Sequence, residues 1–187
     1  NRINAFHMDE YIGVLPDAPQ SFGNFLRIRI FDKVPFKNVY YLNGHATDLE
    51  EECTRYTSLL SQFPTDIVCL GIGENGHIAF NDPDVANFND HKLVKIVKLD
   101  HVCRQQQVNE KCFETLEQVP TEALTLTIPA LLKAKWMFCI VPFKNKAQAV
   151  YRTIHGDISE KCPASILRRK EKSSLYLDTE SAQLLNL

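Results

Sequence analysis

Two short polar clusters in this chain hold the residue types that move protons. The first is Met8-Asp9-Glu10-Tyr11-Ile12-Gly13, an acidic pair following an apolar run. The second is Gly71-Ile72-Gly73-Glu74-Asn75-Gly76-His77, with Asp82 five residues beyond the histidine. Histidine gives and takes a proton near neutrality, and a carboxylate beside it orients the ring and sets its charge. A lone acid pair is usually a solvated turn, and a lone histidine after a glycine turn is usually a surface residue. Each gains meaning here because both clusters come directly after strand-like runs. In an open α/β sheet the crevice beyond the carboxyl ends of the strands is where ligands bind.

Gly71, Gly73 and Gly76 also fit G-x-G-x-x-G after an apolar strand, the pattern of a dinucleotide loop. The context excludes that use. The third glycine of such a loop opens a helix, whereas here Ile78-Ala79-Phe80-Asn81-Asp82 runs into Pro83 within a turn and a half.

The elements that position these clusters alternate. Strand candidates are Ile3 to Met8, Val39 to Leu42, Asp66 to Gly71, Leu93 to Leu99, Trp136 to Val141 and Leu175 to Leu177. A helix is expected from Thr47, with Thr47 and Glu50 as a capping box and Leu49, Cys53, Tyr56 and Leu60 as its apolar stripe. Two more are expected over Asn145 to Ile154 and Ala164 to Arg169, the latter led by Pro163. Residues 83–90 read as an exposed loop, and Tyr40, Tyr41 and Phe138 as core. The pattern predicts one α/β domain over residues 1–187: an open, mainly parallel sheet with helices on both faces, a Rossmann-like three-layer α/β/α arrangement. Ile3 to Met8 reads as a strand with nothing before it, so the expectation is a domain lacking an amino-terminal segment.

Composition removes several classes of function. Among 187 residues, 21 Lys plus Arg face 23 Asp plus Glu, so there is no basic excess to support nucleic-acid binding. No apolar run approaches the roughly 20 residues of a membrane span. The six cysteines form no C-x-x-C pair and suit buried thiols in a reducing, cytoplasmic setting. His7, His45, His91, His101 and His155 lack ligand-like spacing. Cys103 and Cys112 near His101 lack a fourth ligand at a zinc interval, so no metal is expected.

The run Leu70-Gly71-Ile72-Gly73-Glu74-Asn75-Gly76-His77-Ile78-Ala79-Phe80-Asn81-Asp82-Pro83 resembles the central signature of the glucosamine-6-phosphate deaminase family. Phe6-His7-Met8-Asp9-Glu10-Tyr11 resembles that family's other active-site strand end. Further matches occur in the family's order at Leu42-Asn43-Gly44, Val119-Pro120, Ala123-Leu124-Thr125 and Asn145-Lys146-Ala147. The related 6-phosphogluconolactonases share the fold and the glycine-histidine loop but not Met-Asp-Glu-Tyr.

The resemblance implies conversion of glucosamine 6-phosphate and water to fructose 6-phosphate and ammonia without metal or organic cofactor, a reaction taken here as a hydrolase's. It implies that His77 opens the sugar ring, that Asp9 carries a proton from C2 to C1 through an enediol, and that Asp82 orients His77. Asn75 and Asp82 stand where the best-known member has an aspartate and a glutamate. Asn75 supplies no negative charge but can orient His77 by hydrogen bonding. Substrate contacts are expected from Glu10, Gly71, Gly73, Gly76, Arg104 and Lys146, the last two toward phosphate. The family's glycine- and serine-rich phosphate turn has no match here, so weak sugar-phosphate binding is expected. The expected partner is a small sugar phosphate, with a homo-oligomer left open. A 6-phosphogluconolactonase-like hydrolase and a catalytically silent sugar-phosphate-binding protein are the alternatives.

Overall fold

A computed structural model describes residues 2–185. Eight strands form two parallel sheets and one antiparallel sheet among the described residues. β1 (Asn4–Phe6) pairs in parallel with β3 (Asn38–Tyr40). β4 (Ile67–Leu70), β7 (Trp136–Val141) and β8 (Ser173–Leu177) form a parallel sheet in the order β4-β7-β8. β2 (Asp9–Tyr11), β6 (Glu122–Leu126) and β5 (Val94–Lys98) are antiparallel, with β6 central. The α/β class holds, and the β-structure is mixed.

The expected single strand from Ile3 to Met8 is two strands with a change of partner between them. His7 N–H still donates to Tyr40 O at 3.2 Å, along β3, while Met8 O already accepts from Leu126 N–H at 2.9 Å, beside β6. The chain leaves a parallel neighbour for an antiparallel one at His7-Met8, and Asp9 is the first residue after the switch. This junction is tied down by Tyr56, whose hydroxyl accepts from His7 N–H at 2.9 Å and lies 2.7 Å from His7 O and 2.9 Å from Tyr40 O.

Five α-helices accompany the strands among the described residues: α1 (Phe22–Leu26), α2 (Leu49–Gln62), α3 (His101–Asn109), α4 (Ile128–Leu132) and α5 (Ala147–His155). In α2 the cap is Asp48, one residue later than expected, and its side chain accepts from Glu51 N–H at 2.9 Å. Asp caps at least as well as Thr, and Glu50, Glu51 and Glu52 then fill the first turn, where the helix dipole favours them. Cys53, Tyr56 and Leu60 bury the predicted stripe. The expected helix from Asn145 begins as a 3-10 turn, Lys144–Lys146, before α5, and Pro163–Arg169 is also 3-10. α1, α3, α4, β2 and β6 lie outside the sequence pattern, because each is short or lacks a clean apolar period. Tyr40, Tyr41 and Phe138 are half-buried, and Tyr11 and Tyr56 are the fully buried tyrosines among the described residues.

The main core gathers Tyr56, Leu70, Ile78, Leu124, Ile128, Leu131, Met137 and Val150 between α2, the strands and α5. Residues 83–90 are more constrained than an exposed loop: Lys95 Nζ donates to Val85 O and Asp90, and Phe88 N–H donates to Glu160. No helix of the described residues is long and apolar enough to cross a membrane.

Candidate active site

The carboxyl ends of β4 and β7 and the start of β2 open on one cleft of about 720 Å³. Met8 and Asp9 line one wall, Gly71, Gly73 and His77 another, and Pro142, Phe143 and Lys146 a third. α3 and the residues after it add Gln106, Gln107, Glu110 and Lys111. The strand ends therefore bring Asp9 and His77, far apart in sequence, to the same space.

Strand alternation decides which acid of the Asp9-Glu10 pair reaches the cleft. Asp9 does. Burial, then the neighbouring Glu10 carboxylate, push the Asp9 carboxyl up to about 7, against the opposing pull of His77. Glu10 points the other way, is 4% exposed, and binds the start of α1. Its Oε1 accepts from Tyr11 and Phe22 N–H, and its Oε2 from Ser21 Oγ at 2.7 Å and Gly23 N–H at 2.9 Å. The expected substrate contact from Glu10 is thereby corrected: its acceptors are occupied by protein.

The glycine loop is shaped around His77. Gly73 N–H donates to His77 O at 3.0 Å, and a Cβ at Gly73 would overlap the imidazole. Gly76 takes φ +92° and packs on Cys162, so it serves loop geometry rather than the cleft. Arg152 of α5 donates to Asn75 O at 2.7 Å from behind. The third glycine opens no helix, in keeping with the excluded dinucleotide reading.

Behind His77 lies a closed polar network. Its Nδ1 is 2.9 Å from Asp82 Oδ1 and 2.8 Å from Asn75 Oδ1, and both are acceptors. That arrangement assigns the proton to Nδ1 and leaves Nε2 for a ligand. Asp82 is fully buried. Burial would raise its carboxyl, but the hydrogen bond and charge of His77, with bonds from Asn75 and Asp100, hold it below its ordinary value. Asn75 Nδ2 donates to both Asp82 Oδ1 at 3.0 Å and Asp100 Oδ2 at 2.8 Å. An aspartate here would place a third carboxylate against those two, so the departure to Asn75 fits this network. Asp100 in turn caps α3 through Cys103 N–H at 2.6 Å.

Lys146 is 7% exposed, and its ammonium lies 3.3 Å from Glu110 Oε1. The other expected phosphate residue is corrected. Arg104 donates to Leu116 O at 2.6 Å and Val119 O at 2.9 Å and does not line the cleft. Lys111 does, held at φ +60° just past α3. Sequence reasoning missed it because α3 itself was missed: only the end of that helix shows that Glu110 and Lys111 turn toward the cleft. Gln106 is in the same position, accepting from Glu74 N–H at 3.0 Å and donating to Glu110 at 2.8 Å.

The crevice at the strand ends holds a carboxyl poised near neutrality, a carboxylate-backed imidazole and two lysines, the group types that proton transfer and anion binding use. The family model for glucosamine-6-phosphate isomerases/6-phosphogluconolactonase matches residues 1–176, and the chain belongs to that family. It is similar to the glucosamine-6-phosphate deaminase of Bacillus cereus, with 40% identity over 184 residues, covering 98% of this chain and 68% of the relative. The corresponding deaminase of Listeria innocua is 39% identical over 183 residues, 98% of this chain and 76% of that one. Among solved structures, a monomeric glucosamine-6-phosphate deaminase superposes with a TM-score of 0.87 at 35% identity, covering 96% of this chain and 73% of that one. The 6-phosphogluconolactonase of Trypanosoma brucei shares the fold, with a TM-score of 0.72 at 20% identity over 96% of this chain and 73% of that one.

Proposed function

We propose that this chain catalyses the isomerisation and deamination of glucosamine 6-phosphate to fructose 6-phosphate and ammonia. The carrying observation is the pairing of Asp9, its carboxyl near 7, with His77, backed by Asp82, across one cleft. Identities near 40% to deaminases over almost the whole chain support the same reaction.

The chemistry divides among a few side chains. His77 Nε2, which carries no proton in this network, takes the proton of the C1 hydroxyl and delivers it to the ring oxygen as the C1–O bond of the pyranose breaks, while Asp82 and Asn75 keep the imidazole oriented. Asp9 takes the proton from C2 of the open aldehyde, forming an enediol-type intermediate that bears nitrogen at C2, and returns it to C1. The resulting C2 imine adds water and expels ammonia. A carboxyl titrating near 7 suits both directions of that transfer, since it is neither too weak a base nor too weak an acid. Lys146 and Lys111 supply the cations for the phosphate, with Glu110 released from Lys146 as the dianion arrives. Gly71 lets the sugar approach the backbone, and Gly73 leaves room for the His77 imidazole.

The hydrolase description is corrected: the net change is isomerisation with loss of ammonia, and the 6-phosphogluconolactonases of Thermotoga maritima and Trypanosoma brucei share 21% and 20% identity with this chain. Six free cysteines, four of them buried, support a cytoplasmic setting.

The test runs two assays side by side, ammonia release from glucosamine 6-phosphate and hydrolysis of 6-phosphogluconolactone. Ammonia release that falls by at least about 10³-fold in Asp9→Asn and His77→Gln supports the assignment. Lactone hydrolysis without ammonia, or undiminished turnover in Asp9→Asn, overturns it.

A further inference from the structure

Cys103 has no part in the sugar chemistry, yet its sulfur is packed into the back of the site. It lies in the first turn of α3 and is fully buried. Its thiol lies close to the Asp82 carboxylate, within 4.8 Å. The Cys103 Sγ, a His77 ring nitrogen and an Asp82 carboxylate oxygen all lie within 4.8 Å of one another. The sequence offered Cys103 only His101 and Cys112 as neighbours; the fold gives it a different histidine and an acid.

We propose that His77, Asp82 and Cys103 bind a thiophilic divalent cation of the zinc class, and that the bound ion blocks turnover by taking the catalytic imidazole. One imidazole nitrogen, one carboxylate oxygen and one thiolate sulfur is the mixed set that suits zinc, and not the all-oxygen set of magnesium or calcium. Donors at roughly 2.0–2.3 Å from a tetrahedral ion stand about 3.3–3.8 Å apart. The His77–Asp82 pair at 2.9 Å opens by less than an ångström to reach that spacing, and the sulfur closes inward.

Charge and protons balance. The ion displaces the Cys103 thiol proton to solvent, and the Nδ1 proton moves to Nε2 of the same ring. One doubly charged cation then faces one carboxylate and one thiolate, so the buried unit is neutral and escapes the cost of an uncompensated charge. Asn75 Nδ2 and Asp100 N–H already hold Asp82 and orient it as a ligand. Asn75 Oδ1, 2.8 Å from Nδ1, or a water fills the fourth position. Because the imidazole now directs Nδ1 at a metal, it is locked as a ligand and no longer exchanges protons with the sugar. The inhibition rests on the proposed role of His77; the binding does not.

The test is a titration of the metal-stripped whole chain with Co²⁺, then competition by Zn²⁺. A thiolate-to-cobalt charge-transfer band in the near ultraviolet, bleached by Zn²⁺, is expected in the wild type. Cys103→Ser keeps a hydroxyl donor toward Asp82, so it is expected to retain basal ammonia release, lose the band, and need at least about tenfold more Zn²⁺ for inhibition. Cys69→Ser and Cys112→Ser, at the two exposed thiols, are expected to keep the band. No band in the wild type, or a band that survives Cys103→Ser, overturns the site. Should Cys103→Ser fail to fold, X-ray absorption of the zinc-loaded wild type decides: one sulfur among nitrogen and oxygen neighbours supports the site, and a sulfur-free shell sinks it. Absence of ammonia release with the band intact would refute the proposed reaction and leave the site standing.

Discussion

Replacing Asp9 by Asn tests the electrostatics of the cleft through stability rather than rate. The Asp9 carboxyl is raised from 3.8 to about 7 in the folded protein, first by burial and then by Glu10. A carboxyl raised in this way opposes folding once it ionises. Below about pH 3.8 both folded and unfolded chains carry the proton, and no difference arises. Between that value and 7 the unfolded chain ionises while the folded one does not, so stability falls with rising pH. Above 7 the loss is constant. A gap of about three units at about 1.4 kcal/mol each sets an upper limit of about 4 kcal/mol. Asp9 is only half-buried and His77 stands nearby, so solvent and partner screening reduce the expected effect to about 1–3 kcal/mol. Asp82 has the opposite sign: its lowered carboxyl adds stability above its ordinary value that is lost as pH falls. It is present in both proteins and cancels in their difference. Urea unfolding of wild type and Asp9→Asn from about pH 4 to about pH 8.5 should show a gain for the variant that grows with pH and levels off above about 7. A difference that stays flat with pH, or a variant less stable at high pH, would refute the reasoning. The same variant is expected to lose ammonia release, so the stabilised protein is the inactive one.

Gly73→Ala places a methyl into the His77 imidazole; turnover should fall on the order of 10²-fold while circular dichroism keeps its α/β signature, and an unchanged kcat would show that the ring has room to move. Asn75→Asp puts a third carboxylate beside Asp82 and Asp100 and removes two donated hydrogen bonds; it should cost about 1–3 kcal/mol at neutral pH and less in acid, measured by denaturant unfolding, and an equal cost at both would argue against charge repulsion as the cause.

Much of the site is legible in the sequence because its residues cluster locally. The block from Leu70 to Pro83 contains the loop, the histidine and the acid behind it, and the glycine spacing already implies a tight turn. Trp136 to Val141 reads as a strand from its apolar character alone, since a strand of a parallel sheet announces itself by composition. Less legible are elements defined by a partner. β2 is three residues long and exists because β6 pairs with it. α3 has polar residues on most faces, so its cap at Asp100 and its neighbours decide its course.

The sequence by itself determined the class of fold, the two polar clusters that line the cleft and the unsuitability of the glycine loop for a dinucleotide, because these rest on local spacing and on the residues immediately beyond each motif. Only tertiary structure decided which acid of Asp9-Glu10 faces the cleft, since a strand's register sends adjacent side chains to opposite sides. It also kept Arg104 out of the cleft and brought Lys111 into its lining, and it set Cys103 beside His77 and Asp82. Contacts between residues tens of positions apart are fixed by packing in three dimensions, and no local pattern of letters encodes them.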